Sequence, residues 1–171
     1  MVLSHVVIHP ESCEGTTMAW DYDKALELIE NSCGTVALVL AGHDHEGGFA
    51  QSAISSTNHG SSAAQKSVAD KDGPKGGTEV GTYYVTLQSP LNRGRDGECF
   101  GAVELYDDQI LIKGPKLDHL LHASLLEQYP STTSVMSGAD VSSGEIKEDV
   151  LSLPLAPCRT GILPKGRRIE S

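Results

Sequence analysis

"TVALVLAGHDHEGG", residues 35 to 48, decides how this chain is read. Its first half, 35–41, is a continuous apolar run bounded by Gly34 and Gly42. Its shortness and its valines predict a strand buried on both faces. Upstream, "VLSHVVI", 2–8, is β-branched and apolar and reads as a second strand, ended by Pro10. Between them, "WDYDKALELIEN", 20–31, reads as a helix. Asp21 or Thr17 is its candidate cap, and Ala25, Leu26, Leu28 and Ile29 form its apolar stripe. A strand, one crossover helix and a strand make parallel neighbours, so the predicted class is α/β.

The second half of the stretch carries the chemistry. Imidazole is the commonest metal ligand among side chains near neutral pH. In an extended segment, residues i and i+2 share a side, so His43 and His45 face one place and Asp44 faces away. Gly42 allows a sharp turn at the strand end, and Gly47 and Gly48 allow close approach of main chain and ligand. The carboxyl end of a strand in an α/β sheet is also where ligands bind. Parallel pairing would place His5 beside His43, with His9 past the end of the first strand. A bare HxH pair is more often structural than metal-binding. Its place at a strand end, framed by glycines and beside a second histidine-bearing strand, favours a metal site. His119 and His122 have i, i+3 spacing on a predicted helix, but nothing else converges on them.

The rest of the chain changes texture. Residues 50–78 are Ser, Ala, Gly and Lys with almost no large apolar group, and are expected to form a disordered insertion carrying a solvated His59. "EVGTYYVTLQS", 79–89, reads as a strand, and 99–114 as a hairpin turning at Asp107 and Asp108. "LDHLLHASLLEQ", 117–128, reads as an amphipathic helix burying Leu117, Leu120, Leu121, Leu125 and Leu126. From Pro130 on, a poorly ordered tail is expected. The predicted organisation is thus a domain over 1–115, interrupted by the insertion, followed by a helix and tail over 116–171.

Composition narrows the function. With 171 residues the chain can build one domain with a core, while 39% hydrophobic and 5% aromatic content predicts that part of it is loose. The net charge of −10 argues against nucleic acid as a partner. A small phosphorylated substrate stays open, because a bound metal reverses the local field. The four cysteines, Cys13, Cys33, Cys99 and Cys158, form no CxxC pair and read as free thiols of a reducing compartment. The N-terminus has no secretory pattern, and no apolar run reaches the roughly 18 residues of a membrane span. The expectation is a cytoplasmic protein with no membrane partner.

"GHDHEGG", 42–48, resembles the terminal GHxH motif of calcineurin-like metallophosphoesterases, and "SHVVIHP", 4–10, resembles the upstream strand that carries the preceding metal histidine. "MAWDYDKALELI", "GTYYVTLQ" and "FGAVELYDDQILIKG" continue the series. The order of elements is most similar to the manganese-dependent ADP-ribose/CDP-alcohol diphosphatases, over roughly residues 1–115. The resemblance implies the C-terminal part of a metallophosphoesterase β-sandwich flanked by helices. It implies His5 and His43 on one metal ion and His45 on the other, with Gly47 and Gly48 near the substrate phosphate. It implies two divalent ions in a complete domain, manganese foremost, with iron or zinc as alternatives. The family's DxH, GDxxD and GNHD/E motifs are missing from this chain, so no catalytic acid or base can be named. The family's histidine in its YHV strand is Tyr84 here, and its glutamate is Gln88.

The implied function is a hydrolase, a metal-dependent phosphoesterase acting on a phosphoanhydride or phosphodiester of an ADP-ribose-like nucleotide, and incomplete in this chain. Two ions need a bridging anion and further ligands. The alternative is a catalytically inactive fold remnant acting as a metal- or partner-binding module. A third reading is an unrelated α/β domain with coincidental histidines. A partial domain is also expected to leave a sheet face uncovered, and so to self-associate.

Overall fold

The computed structural model describes residues 1–13, 17–32, 35–53, 80–89, 100–136 and 146–155. Two four-stranded sheets and few helices make up these residues, a mixed α/β architecture. The first sheet contains β1 (Val2–Leu3), β2 (Leu38–Ala41), β3 (Gly48–Ala53) and β4 (Val80–Thr86), in the order β1-β2-β4-β3. Helix α1 (Tyr22–Glu30) is the crossover between β1 and β2, which pair in parallel with Val2 opposite Val39 and Leu3 opposite Leu40. The expected strand–helix–strand unit is therefore present. Its first strand is shorter than the apolar run, continuing only as a parallel bridge between Val7 and Met18.

Strand β4 lies between β2 and β3, parallel to the first and antiparallel to the second. Ala41 at the end of β2 and Gly48 at the start of β3 both lie opposite Thr86. The segment Gly42–Gly47 must therefore step over the carboxyl end of β4. This topology creates the histidine-bearing loop.

The second sheet is wholly antiparallel, in the order β5-β6-β8-β7. Its strands are β5 (Ala102–Leu105), β6 (Gln109–Gly114), β7 (Thr132–Met136) and β8 (Ile146–Pro154). The hairpin turning at Asp107 and Asp108 is present. The expectation of a poorly ordered tail past Pro130 is overturned over 132–136 and 146–154, where two strands complete this sheet. The reason is alternation, because Leu151 and Leu153 face inward opposite Ile112 and Ile110. Residues 50–53 belong to β3 rather than to the insertion, while 54–78, including His59, lie outside the described residues. Cys33, Cys99 and Cys158 also lie outside them, and the Cys13 thiol donates to the Pro10 carbonyl at 3.6 Å.

The predicted helix over 117–128 divides into a 3-10 turn at Leu117–His119 and helix α2 (Ala123–Gln128). His122 caps α2, its Nδ1 accepting the Ser124 N–H at 3.2 Å. Even so, Leu117, Leu120, Leu121 and Leu125 are buried as the apolar pattern required.

The core explains why β2 and β4 are apolar on both faces. Leu38, Tyr83 and Val85 pack with Ile110, Ile112, Leu151 and Leu153 of the second sheet and with the 117–125 leucines. Val39 and Tyr84, on the opposite face, pack with Ile8, Ile29 and Ala50, and with Ala25 and Leu26 of α1. Both faces of β2 and β4 are therefore covered, while Leu3 of β1 keeps 68% of its surface exposed. The shared core also joins residues on both sides of position 115. Leu28, placed in the apolar stripe of α1, instead points to solvent with 75% of its surface exposed.

Candidate metal centre

The site begins with the parallel register of β1 and β2. The Ser4 N–H donates to the Leu40 carbonyl at 3.0 Å, extending the pairing one residue past β1. His5 and His43 follow directly at neighbouring strand ends. Their rings stand 5.0 Å apart between centroids, edge to face at 68°. Both side chains are exposed. An open depression of about 380 Å³ lies beside His5, lined by Leu3, Ser4, His5, Leu40, Ala41, Gly42 and Leu87.

The loop reaches this geometry differently from the expected extended run. His43 is the one non-glycine residue with positive φ among the described residues, at 70°. The Asp44 N–H donates to the Gly42 carbonyl at 2.9 Å, closing a three-residue turn centred on His43. This is the γ-turn of positive φ, a rare and strained form. The turn thus falls on His43, not on Gly42. A second turn follows, with the Gly47 N–H donating to the Asp44 carbonyl at 3.2 Å.

His43 and His45 are both exposed while Asp44 between them is buried, only 5% exposed. The alternation therefore survives although the segment is not a strand. Asp44 faces inward into a set of donors. Its Oδ2 accepts the Thr17 hydroxyl at 3.0 Å, and its Oδ1 accepts the Glu46 N–H at 3.2 Å. Thr17 is thus engaged by the loop and does not cap α1. Asp21 holds the N-cap position without a capping bond and pairs with Lys24 at 3.2 Å.

The glycines have a packing reason. A Cβ on Gly48 would stand 2.3 Å from the Ser12 carbonyl oxygen. A Cβ on Gly47, whose φ is +72°, would stand 2.9 Å from the Thr86 carbonyl oxygen. Both lie where the loop crosses the end of β4 against neighbouring main chain. Gly42 has no such constraint, its Cβ position lying 3.8 Å from the His5 carbonyl oxygen.

His9 sits apart from the histidine pair. Its ring packs 4.6 Å from that of Tyr84, and its Nδ1 accepts the Glu11 N–H at 3.1 Å, capping a 3-10 turn at Pro10–Ser12. Burial holds its pKa below the ordinary histidine value, with Glu11 acting weakly the other way. Tyr84 is buried beneath α1, and burial, with the charge of Glu30, pushes its phenol well up. Gln88 is half-buried, its Cγ packed against Gly47.

Two imidazoles at neighbouring strand ends suit two positions of a divalent ion's shell. They do not complete one. Among the described residues, no group of three or more His, Cys, Asp or Glu side chains is placed to hold a metal ion. His5 and His43 are thus brought together, while His45 is not gathered with them into a three-donor set.

The chain is 27% identical over 115 residues to a manganese-dependent ADP-ribose/CDP-alcohol diphosphatase of Mus musculus. The proteins of the same name from Homo sapiens and Bos taurus are 26% and 24% identical over 115 residues. Each match covers 67% of this chain. The chain is a partial match to this diphosphatase family. It spans about a quarter of the length of these curated relatives, 25–26% of each. No protein-family model matches the chain, and no solved structure matches it. No helix among the described residues is long and apolar enough to cross a membrane.

Sequence reasoning finds the histidines but gives Asp44 no role beyond facing away from them. The available signal is the aspartate itself, in a short segment between Gly42 and Gly47, since Asp side chains commonly close an Asx turn onto the main chain two residues on.

Proposed function

We propose that the chain is part of a metal-dependent phosphoesterase that hydrolyses a phosphoanhydride or phosphodiester in a small ADP-ribose-like nucleotide, in the cytoplasm. The observation that carries this is the His5–His43 ring pair, 5.0 Å apart at the ends of two parallel strands. In this reading the two sheets are the C-terminal part of a metallophosphoesterase sandwich. His5 and His43 would hold one divalent ion and His45 would face a second, with manganese the first candidate and iron or zinc the alternatives. The remaining ligands would come from polypeptide outside this sequence. The donors present do not complete a site, and by themselves they support no chemical step through an ion.

The chain's own residues would hold and orient. The γ-turn fixes the direction of His43, and the parallel register fixes His5 beside it. Gly47 and Gly48 keep the loop close to the end of β4, so the histidines stay on the side from which the phosphate would approach. The second reading, an inactive remnant that binds metal or a partner, is favoured by the lack of a three-donor group among the described residues.

The test is manganese titration of the full chain by electron paramagnetic resonance, together with an ADP-ribose hydrolysis assay. Turnover lost in His43→Ala supports the enzyme reading. Manganese binding lost in His43→Ala, without turnover in the wild type, supports the binding module. A wild type that binds no manganese would overturn the metal-site reading, whether or not it turns over, and would leave only a module that binds a partner without metal.

A further inference from the structure

We propose that Asp44 is a positioning residue that holds the imidazole of His43 against that of His5. The proposal deepens the metal-site reading and takes its functional meaning from it.

The contacts form a closed circuit. His5 follows β1, and Val7 beyond it bridges Met18 in parallel. The Ala19 N–H donates to the Val7 carbonyl at 2.9 Å, so the 17–19 segment is fixed to the segment carrying His5. Thr17 donates its hydroxyl to Asp44 Oδ2 at 3.0 Å, across 27 residues of sequence. Asp44 Oδ1 accepts the Glu46 N–H, and the Asp44 N–H closes the turn on Gly42. His43 is the centre of that turn and faces His5. The Ser89 N–H to His45 carbonyl bond, at 3.1 Å, anchors the far side of the loop to the segment after β4.

The energetics require such an anchor. A non-glycine residue at φ 70° is in a sparsely populated region, and such strain persists only when surrounding contacts over-determine it. The His43 side chain is exposed and supplies little packing of its own. The adjacent Asp44, 5% exposed, supplies a carboxylate bonded on both oxygens. Charge-assisted hydrogen bonds to a buried carboxylate are among the stronger local constraints. Without them the loop would relax towards negative φ at His43 and carry the ring away from His5. Contacts that orient ligands from behind commonly alter metal affinity about 10- to 100-fold when removed.

The experiment uses the full chain and reads geometry separately from metal binding. NMR measures the nuclear Overhauser contact between the His5 and His43 rings in metal-free wild type, Asp44→Ala, Asp44→Asn and Thr17→Val. Manganese alone is then titrated into each. The expected result is loss of the ring contact in Asp44→Ala, with the Tyr83–Tyr129 ring contact retained. Manganese affinity should fall about 10- to 100-fold. Asp44→Asn, which keeps an acceptor for the Glu46 N–H, should recover part of the ring contact. If Asp44→Ala does not fold, Thr17→Val decides, because it removes one bond and leaves the carboxylate. A ring contact unchanged in Asp44→Ala or, where that variant does not fold, in Thr17→Val overturns the proposal, as does its absence in wild type. If wild type shows the contact but binds no manganese, the metal reading falls and the ring contact alone decides the role of Asp44.

Discussion

The two sheets share one core but divide the work differently. The first is mixed, and its parallel strands β1 and β2 finish at the same edge. Two histidines from distant parts of the sequence therefore arrive together, and a strained loop steps over β4 beside them. The second sheet is antiparallel, so neighbouring strands end at opposite edges, and its strands carry no histidine. Its inward face is aliphatic, built on Ile110, Ile112, Leu151 and Leu153. The candidate site thus lies where strand ends coincide, and the aliphatic packing where alternation is regular. If that division is real, substitutions in the two places should separate cleanly.

The largest effect is expected in the shared core. Leu121, in the 117–125 segment, is fully buried there against residues of both sheets. Leu121→Ala should lower unfolding stability by about 2–5 kcal/mol, through lost burial and the cavity left behind. His5→Ala, at an exposed position, should stay within about 0.5 kcal/mol. Urea unfolding of the two variants checks the division. A loss in His5→Ala as large as that in Leu121→Ala would show that the site and the core are one unit.

Inside the loop, two glycines repeat the contrast on a smaller scale. Gly48→Ala would push a Cβ to within 2.3 Å of the Ser12 carbonyl oxygen, a main-chain atom that cannot rotate away. It should cost about 1–3 kcal/mol, as overpacked positions do. Gly42→Ala places its Cβ 3.8 Å from the His5 carbonyl oxygen and should be close to neutral. Thermal unfolding of both tests whether closeness to neighbouring main chain, rather than glycine as such, governs the loop. Equal losses would reject that explanation.

Much of this is legible in the sequence, for reasons that residues make plain. The run 35–41 has to be buried on both faces, and Leu38 and Val39 do face opposite cores. Parallel pairing of β1 with β2 follows from one crossover helix, and with it the meeting of His5 and His43. The strands past Pro130 are hidden because their inward residues are few and their flanks are rich in Ser, Thr and Gly. Only pairing with β6 gives Leu151 and Leu153 a reason to alternate. The γ-turn is illegible because nothing local in "GHDHEGG" prefers positive φ at a histidine when glycine stands beside it. It needs Thr17 against Asp44, a contact between distant residues. Likewise, Gly47 and Gly48 suggest room for a ligand, and the structure supplies nearer neighbours in Thr86 and Ser12.

The smallest expected effect is a pH dependence, and it distinguishes His9 from the exposed histidine pair. Burial against Tyr84 depresses the pKa of His9 in the folded state. The unfolded chain then binds more protons than the folded one between the depressed value and the ordinary value of about 6.5. The contribution of His9 to stability is therefore complete above about pH 6.5 and is lost as pH falls through the folded pKa. His9→Asn removes the titration and keeps a side-chain oxygen able to accept the Glu11 N–H, since asparagine is a good cap. The stability difference between wild type and His9→Asn should therefore shift against wild type as pH falls below neutrality. Glu30 has the opposite sign, because partial burial raises its carboxyl, but its contribution is common to both proteins and cancels in the difference. Urea unfolding of the pair at several pH values measures it. A difference independent of pH would place the His9 ring in water, and its contact with Tyr84 would then contribute no more than an exposed side chain does.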